Sequence, residues 1–146
     1  MGRVIDPVPI NGNSFFESVY RQVAHGNLTP ENMRNLVVRI GKRYPRLFYR
    51  FIAQSEGRFL EILDELQLEG VWFSNVWYMC IVMLTRVLRL NKIVVVQSDT
   101  MPVVIPDDGD PVDHETIVLV QSENFMQYHS TQPLRGILCF YLFICT

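Results

Sequence analysis

The hydrophobic pattern of this chain changes its period near Asn91, and this change constrains the fold more than any other feature. Before Asn91, apolar residues recur at the three- and four-residue spacing of amphipathic helices. After it, the β-branched runs at residues 93–96 and 116–120 are typical of buried strands. Helices followed by strands predict an α+β domain in which the helices pack on a small, mostly antiparallel sheet.

Capping and breaking residues predict where the elements begin and end. Thr29 before Pro30 predicts a helix start, Gly41 predicts the end of that helix, and Ser74 predicts the cap of the last helix. The predicted helices cover residues 14–25, 30–40, 45–52, 56–67 and 75–90. The predicted strands cover residues 93–96, 101–105, 116–120, 125–129 and 136–144, with a loop at 106–111 and a further strand near the N-terminus.

The size and the charge of the chain limit its class and its partners. Its 146 residues suit a single domain spanning 1–146, and its 49% hydrophobic residues suffice for a packed core. A net charge of −2 creates no general attraction for nucleic acid. One basic cluster stands out, and we interpret it as a solvated helix face, not a nucleic-acid patch. It contains Arg39, Lys42, Arg43, Arg46 and Arg50. We expect a monomer that binds no nucleic acid.

The cysteines and the long apolar runs indicate an intracellular protein that does not span a membrane. Cys80, Cys139 and Cys145 are odd in number and lie in apolar runs, which is typical of buried thiols in a reducing compartment. The run at 136–145 is shorter than the roughly 20 residues that a spanning helix needs, and arginines interrupt the run at 76–90. The first residues lack the apolar stretch of a signal peptide. We therefore expect a cytoplasmic protein without a membrane partner.

Residues 11–14, Asn-Gly-Asn-Ser, predict a tight turn that delivers Ser14 to the first turn of a helix. Such a turn fixes the backbone, and a helix N-terminus favours developing negative charge, so a nucleophile would be well placed there. The free N–H groups near Gly12, Asn13 and Ser14 could form an oxyanion hole. The alternative is an ordinary helix N-cap by Asn13 or Ser14.

A nucleophile also requires a base within hydrogen-bond reach. His25 lies at the far end of the helix that Ser14 begins, and His114 lies in an acidic loop typical of a surface histidine. His129 follows a predicted strand late in the chain, and a late strand end can meet an early helix start. We take His129 as the candidate base, with a purely structural histidine as the alternative.

These motifs together resemble the ovarian-tumour (OTU) family of cysteine proteases, which consists largely of deubiquitinases. Residues 11–16 resemble the family's Asp-Gly-Asn-Cys motif and the aromatic residues after it. Arg34 and Val37 resemble its second-helix "LR..V" signature, and residues 71–74 resemble its Trp-containing helix entry. Two β-branched strands followed by His129 resemble its ending. The resemblance covers nearly the whole chain and implies an OTU-like, papain-related fold.

The resemblance also implies a function and roles for individual residues. The activity would be hydrolysis of peptide or isopeptide bonds after the C-terminus of ubiquitin or a ubiquitin-like protein, without a cofactor or a metal. Ser14 occupies the position of the nucleophilic cysteine, His129 that of the catalytic histidine, and Gly12 and Asn13 the oxyanion hole. The residue that orients His129 would be Thr131, or Asn11 as in some viral members.

Serine at position 14 departs from the family pattern, and Asn11 stands where the family often has Asp. A cysteine thiol has an ordinary pKa of about 8.5, whereas a serine hydroxyl is far less acidic and needs a base in every turnover. We therefore expect impaired catalysis. Three explanations are open: an engineered substitution, a natural binding-only pseudoenzyme, or a natural serine nucleophile. A domain cut from a viral or mobile-element polyprotein is a further alternative.

Five acidic residues between 107 and 115 form the last notable cluster. Their spacing lacks the alternating ligands of a calcium-binding loop, so we interpret them as a solvated loop without a metal. A second hypothesis is that they contact the basic tail of ubiquitin.

Overall fold

The computed structural model describes residues 3–9, 11–23, 28–89, 92–97, 103–105, 116–121 and 127–133. Its helices are α1 (Ser14–Tyr20), α2 (Pro30–Arg43), α3 (Pro45–Phe48), α4 (Glu56–Leu66) and α5 (Trp77–Val87), with a short 3-10 helix at Tyr49–Phe51. Its strands are β1 (Arg3–Asp6), β2 (Lys92–Gln97), β3 (Val103–Ile105), β4 (Thr116–Gln121) and β5 (Tyr128–Pro133).

The strands form one mixed sheet in the order β1-β5-β4-β2-β3. β4 runs parallel to β2, whereas the pairs β1–β5, β4–β5 and β2–β3 are antiparallel. Asp6 on β1 lies opposite Ser130, and Val120 on β4 lies opposite His129. The arrangement confirms the predicted α+β domain with a mostly antiparallel sheet, and it places His129 on a strand with a neighbour on each side.

The last predicted strands differ from the observed ones. β5 spans Tyr128–Pro133, so the predicted strand at 125–129 overlaps it only at residues 128 and 129. The predicted strand at 136–144, the loop at 106–111 and the whole acidic cluster at 107–115 lie outside the described residues.

Helix α2 begins as predicted but continues past its predicted end. Thr29 Oγ1 accepts a hydrogen bond from Asn32 N at 3.2 Å, and Pro30 occupies the first turn. The prediction that Gly41 ends the helix is wrong, because α2 runs through Gly41 to Arg43. A Cβ atom at Gly41 would lie 2.8 Å from Leu63 Cδ1 on α4. The glycine therefore permits close packing of α2 against α4 and does not act as a helix stop.

Two other predicted helix boundaries are also wrong. α1 ends at Tyr20 and not at residue 25, and α5 begins at Trp77 with Val76 before it. Ser74 is therefore not the cap of α5. Ser55, in contrast, caps α4, because its Oγ accepts a hydrogen bond from Arg58 N at 3.1 Å.

The core lies between the helices and the sheet. α1 packs on β4 and β5, and α5 packs on β2 and β3. Inward-facing residues alternate along β2 and β4, as the two-residue period of a strand requires. These fully buried residues are Ile93, Val95, Ile117 and Leu119. Among the helices of the described part of the chain, none has the length and apolarity that crossing a bilayer would require.

Candidate active site

Ser14 is the first residue of α1 and lies against the start of β5. Its Oγ accepts a hydrogen bond from the backbone N–H of Tyr128 at 3.1 Å, and the residue is 1% exposed. The next residue along β5 is His129. The structure thus places Ser14, at the start of α1, beside the strand residue that immediately precedes His129.

The ring of His129 is half-buried and receives a hydrogen bond from the chain that precedes the turn. Its Nδ1 accepts from Val8 N at 3.2 Å. A ring that accepts at Nδ1 carries its proton on Nε2 when it is neutral. Within the described part of the chain, no hydrogen bond joins Ser14 to His129. Catalytic hydrogen bonds are often absent or long before substrate binds.

The two residues predicted to orient His129 make other hydrogen bonds. Asn11 Oδ1 accepts from Asn13 N at 2.9 Å. Thr131 Oγ1 donates to Val118 O at 2.8 Å and lies 3.5 Å from Gln22 Oε1. Neither side chain hydrogen-bonds His129 among the residues that the structure describes. Thr131 is nevertheless two positions beyond His129 on β5, which puts the two residues on the same face of the sheet.

The predicted oxyanion donors lie in the turn, and some of them are engaged within it. Ser14 N donates to Asn11 O at 3.2 Å, and Asn13 N donates to the Asn11 side chain. Both N–H groups would have to exchange these partners to bind an oxyanion. Gly12 N donates to no acceptor among the described residues.

The buried side chain of Arg34 holds the turn at residues 11–14 in place through hydrogen bonds. Arg34, on α2, is 3% exposed, and its guanidinium donates hydrogen bonds to four neutral oxygens. Two of them are in the turn, Gly12 O at 2.9 Å and Asn13 Oδ1 at 2.8 Å. The other two are Leu66 O at 2.7 Å and Val71 O at 2.5 Å. Arg34 thus ties the turn to the end of α4 and to the segment before α5.

The electrostatics of Arg34 follow from this burial. No carboxylate forms an ion pair with it in the described part of the chain. Burial lowers the pKa of the Arg34 guanidinium from its ordinary value. An arginine nevertheless remains protonated in proteins. Its charge is compensated by the four oxygens and by the face of Phe16, whose ring centroid lies 4.9 Å from Arg34 Cζ. The carboxylate of Glu69 also favours the charged guanidinium electrostatically, without forming an ion pair.

Gly12 is required by a close approach of two backbone segments. A Cβ atom at Gly12 would lie 1.6 Å from Gly70 O, so no other residue fits without movement of the chain. Gly70 has a φ of +80°, and its N–H donates to Asn13 Oδ1 at 3.0 Å. The turn is thus clamped between Arg34 and the segment around Gly70.

Four aromatic rings lock α1 against β5. Phe15 stacks on Trp72 with centroids 4.9 Å apart, and it meets Tyr128 edge-on at 5.1 Å. Phe16 and Trp72 are edge-on at 5.7 Å. Because Phe15 follows Ser14 and Tyr128 precedes His129, these contacts set the spacing between the candidate nucleophile and the candidate base.

Sequence reasoning missed the structural roles of Arg34, Val8 and Tyr128. In the sequence, Arg34 is notable only as part of the "LR..V" resemblance. Its position was a usable signal, because it lies on the same helix face as the core residues Met33, Val37 and Val38. A charged residue on an apolar face needs buried partners. The contacts of Val8 and Tyr128 use backbone N–H groups, which leave no trace in residue identity.

The described residues contain no group of three or more His, Cys, Asp or Glu side chains that could hold a metal ion. Cys80 is fully buried as a free thiol, and burial raises the pKa of this thiol far above its ordinary range. Cys80 is therefore a core residue and not a second nucleophile.

Comparisons with known proteins give a fold but no sequence family. No family model and no curated protein matches the chain. The OTU domain of OTUD1 superposes with a TM-score of 0.70 at 14% identity, over 90% of this chain and 86% of that one. The viral OTU domain protease from Taggert virus gives 0.66 at 12% identity, over 92% and 81%. An OTU deubiquitinase from Wolbachia pipientis wMel, solved bound to ubiquitin, gives 0.62 at 14% identity, over 89% and 95%.

Proposed function

We propose that this chain, which has the OTU fold, is a domain of the thiol-protease type that binds the C-terminal tail of ubiquitin or a ubiquitin-like protein. Its parent reaction is hydrolysis of the peptide or isopeptide bond that follows that tail. Position 14 is the attacking position, and His129 is the base. Serine at position 14 leaves the tail-binding site in place and makes turnover slow.

The observation that carries this proposal is the hydrogen bond from Tyr128 N to Ser14 Oγ. It holds the first residue of α1 beside the strand residue that precedes His129, within a fold shared with solved OTU proteases. A nucleophile at a helix start beside a histidine is the arrangement that acyl transfer requires. The Wolbachia deubiquitinase of the same fold was solved with ubiquitin bound, which supports ubiquitin as the first partner to test.

The proposed reaction has two steps. The proton of the residue at position 14 passes to His129 as its oxygen or sulfur attacks the carbonyl carbon. The tetrahedral intermediate collapses, the C–N bond breaks, and the leaving amine takes the proton from His129. Water then attacks the acyl carbon while His129 takes its proton. The bond between the acyl carbon and residue 14 breaks, His129 returns the proton to residue 14, and the free C-terminus leaves. The oxyanion would be bound by the N–H groups of Gly12 and Asn13, once Asn11 releases Asn13 N.

The orientation of His129 is part of the proposal. Asn11 or Thr131 would hold the imidazole, and either must rearrange from the hydrogen bonds it makes now. Val8 N now occupies Nδ1, the nitrogen whose lone pair would accept the proton when Nε2 carries the other one, so His129 must also give up this hydrogen bond to act as the base. A hydroxyl or an amide supplies orientation but no charge, so the imidazolium is stabilised less than it would be by a carboxylate.

A specific observation favours a second function, a non-catalytic module that binds ubiquitin or another protein. The Ser14 hydroxyl is buried and already accepts a hydrogen bond from Tyr128 N, and His129 does not contact it through a hydrogen bond. A hydroxyl held in this way is not activated, because no base removes its proton. Both functions require the same tail-binding site, and they differ in whether position 14 reacts.

The test is the Ser14→Cys variant, incubated with ubiquitin that carries an electrophile at its C-terminus. We expect a covalent adduct at position 14 by mass spectrometry, and little or none with the unsubstituted chain. The double variant Ser14→Cys, His129→Ala is the control, and its labelling should fall by about a hundredfold or more, the contribution of a general base. Absence of labelling in a folded Ser14→Cys variant with His129 intact would exclude the protease mechanism. Binding of ubiquitin without labelling would favour the second function.

That the protein is a single, monomeric, cytoplasmic domain, independent of cofactors, membranes and nucleic acid, stays a prediction. The three explanations of the serine at position 14 stay open.

A further inference from the structure

An apolar groove opens where the end of α2 and the start of α3 meet α5. Leu47 is 65% exposed, and Phe51 in the following 3-10 helix is 67% exposed. Tyr44 and Val87 are also exposed, so four large apolar side chains in this region face the solvent. The groove itself has a volume of about 220 Å³, and its lining includes Tyr44, Leu47, Val82 and Val87. Exposed apolar residues that gather around one concavity are typical of an interaction site.

Arginines surround this groove. Arg86 on α5 lines it, and Arg43 and Arg46 line an adjoining hollow of about 280 Å³ that shares Tyr44 and Leu47 with it. We call the two hollows together the arginine groove. Arg43 Cζ lies 5.7 Å from the centroid of the Tyr44 ring. Arg43 and Arg46 belong to the cluster that the sequence predicts to be a solvated helix face, a prediction that explains their exposure but not their apolar neighbours.

The arginines of the groove have no acidic partner in the described part of the chain. The neighbouring basic residue, Lys42, does have one, because its Nζ lies 2.6 Å from Asp64 Oδ1 on α4. Positive charge that is left without an acidic partner around an apolar concavity complements an acidic ligand with apolar side chains.

The arginine groove is separate from the candidate active site. Arg34, which holds the Ser14 turn, and Arg43 both lie on α2, nine positions apart. At a rise of about 1.5 Å per residue they are about 14 Å apart along the helix axis. A ligand in the groove would therefore leave the Ser14 turn accessible.

We propose that the arginine groove binds an acidic amphipathic helical segment of another protein. Apolar side chains spaced three and four residues apart enter the groove between Leu47 and Val87, and carboxylates on either side pair with Arg43, Arg46 and Arg86. Helix-in-groove binding uses this spacing, and arginine forks match carboxylates in two-point contacts. The site recruits a partner independently of position 14.

The shape of the surface favours this ligand over the other anionic classes. A bilayer surface would contact protruding residues but would leave a concavity of about 220 Å³ unfilled. Nucleic acid would use the arginines, but it would leave Leu47 and Val87 without apolar partners. The apolar side chains of an acidic amphipathic helix would fill the cavity, and its carboxylates would pair with the arginines.

The experiment uses a fluorescein-labelled peptide of about 14 residues, long enough to form a helix, with leucines spaced three and four apart and glutamates between them. We expect saturable binding by fluorescence anisotropy. The Leu47→Ser variant and the double variant Arg46→Glu, Arg86→Glu should each weaken it by about tenfold or more. The matched controls are Leu68→Ser and the double variant Arg39→Glu, Arg58→Glu, which makes the same change of net charge as the double groove variant. They change exposed residues outside the groove and should bind like the parent chain.

Several outcomes would overturn the proposal. These are absence of saturable binding, equal binding of a control peptide with serine in place of leucine, or unchanged affinity in the groove variants. Preferential binding of phosphatidylserine vesicles or of single-stranded RNA, lost in the same variants, would assign the groove to a membrane or to nucleic acid instead. Labelling of Ser14→Cys by the ubiquitin electrophile should be unchanged in all groove variants, so this proposal and the proposed function fail separately.

Discussion

The turn that carries Ser14 and the strand that carries His129 meet at one hydrogen bond, but they are held differently. Arg34 donates to Gly12 O and Asn13 Oδ1 from a buried position, and Gly12 is pressed against Gly70 O. On the strand side, the described hydrogen bond of the His129 ring comes from Val8 N alone. The turn is braced by side-chain hydrogen bonds and close packing, whereas the ring of His129, although its strand is paired on both sides, has one described hydrogen bond.

An oxyanion site and a base have different structural requirements, and these explain the difference between the turn and the His129 ring. Backbone donors for an oxyanion work best when they are fixed in advance, because reorganisation during the reaction costs free energy. The braced turn fixes the backbone at Gly12, but Asn13 N must still leave Asn11 Oδ1 before it can donate to an oxyanion. A histidine that takes and returns a proton must change its partners, so some freedom suits it. The bonds from Arg34 that brace the turn involve no atom of residue 14, and the described bond that does is the one from Tyr128 N to Ser14 Oγ. If position 14 is the attacking position, as proposed, we therefore expect a serine there to affect binding less than turnover.

The largest expected effect is that of Gly12→Ala. The new methyl group would lie 1.6 Å from Gly70 O, so the turn must move. We expect the free energy of unfolding to fall by about 3 kcal/mol, as for severe overpacking. In the Ser14→Cys background, ubiquitin labelling should be lost. Chemical denaturation and the labelling rate measure the two effects.

The control for this change is Gly57→Ala on α4, where a Cβ atom would meet nothing within 4 Å. It should raise the unfolding free energy by up to about 1 kcal/mol through helix propensity. If Gly12→Ala and Gly57→Ala changed the free energy of unfolding alike, the turn would not be tightly packed. The stated difference between the turn and the His129 strand would then be wrong.

Replacement of Arg34 tests the bracing itself. Arg34→Met keeps much of the volume but leaves Gly12 O, Leu66 O and Val71 O without their donor. We expect a loss of about 2 kcal/mol of unfolding free energy, because buried acceptors without a partner are costly. Arg34→Lys should recover part of the stability but little of the labelling rate of Ser14→Cys, since an ammonium group cannot reproduce the fork. Equal labelling rates of Ser14→Cys alone, with Arg34→Lys and with Arg34→Met would show that the bracing does not affect reactivity.

The smallest effects should come from the two candidates that orient His129. Asn11→Ala removes the bond from Asn13 N, and Thr131→Val removes the bond to Val118 O, each at a cost of about 1 kcal/mol in unfolding free energy. Labelling of Ser14→Cys should fall more in Thr131→Val, by about tenfold, because Thr131 lies on the sheet face of His129. A larger fall in Asn11→Ala would assign the orienting role to the turn side.

Local signals predicted most of the fold. Thr29 and Pro30 start α2, and the β-branched runs form β2 and β4. Gly41 misled the prediction because a glycine that ends a helix and a glycine that allows close packing on Leu63 look alike in sequence. The end of α1 and the start of α5 were also misplaced, since tertiary packing decides where marginal turns stop.

The site was predicted less fully than the fold. Residue types and order pointed to Ser14 and His129, and the structure brings both to the start of β5. The bonds from Val8 N and Tyr128 N could not be predicted, because every residue except proline has the same backbone donor. The engagement of Asn11 Oδ1 with Asn13 N was equally hidden, since an amide can serve a local turn or a distant ring.

The most direct test of the central claim is a calorimetric titration of the unsubstituted chain with intact ubiquitin and with ubiquitin that lacks its C-terminal tail. Because the braced turn should bind the tail without reacting, we predict measurable binding of intact ubiquitin and a loss of about tenfold or more without the tail. Absence of binding, or equal affinity for both forms, would contradict the assignment of the Ser14 turn as a ubiquitin-tail site.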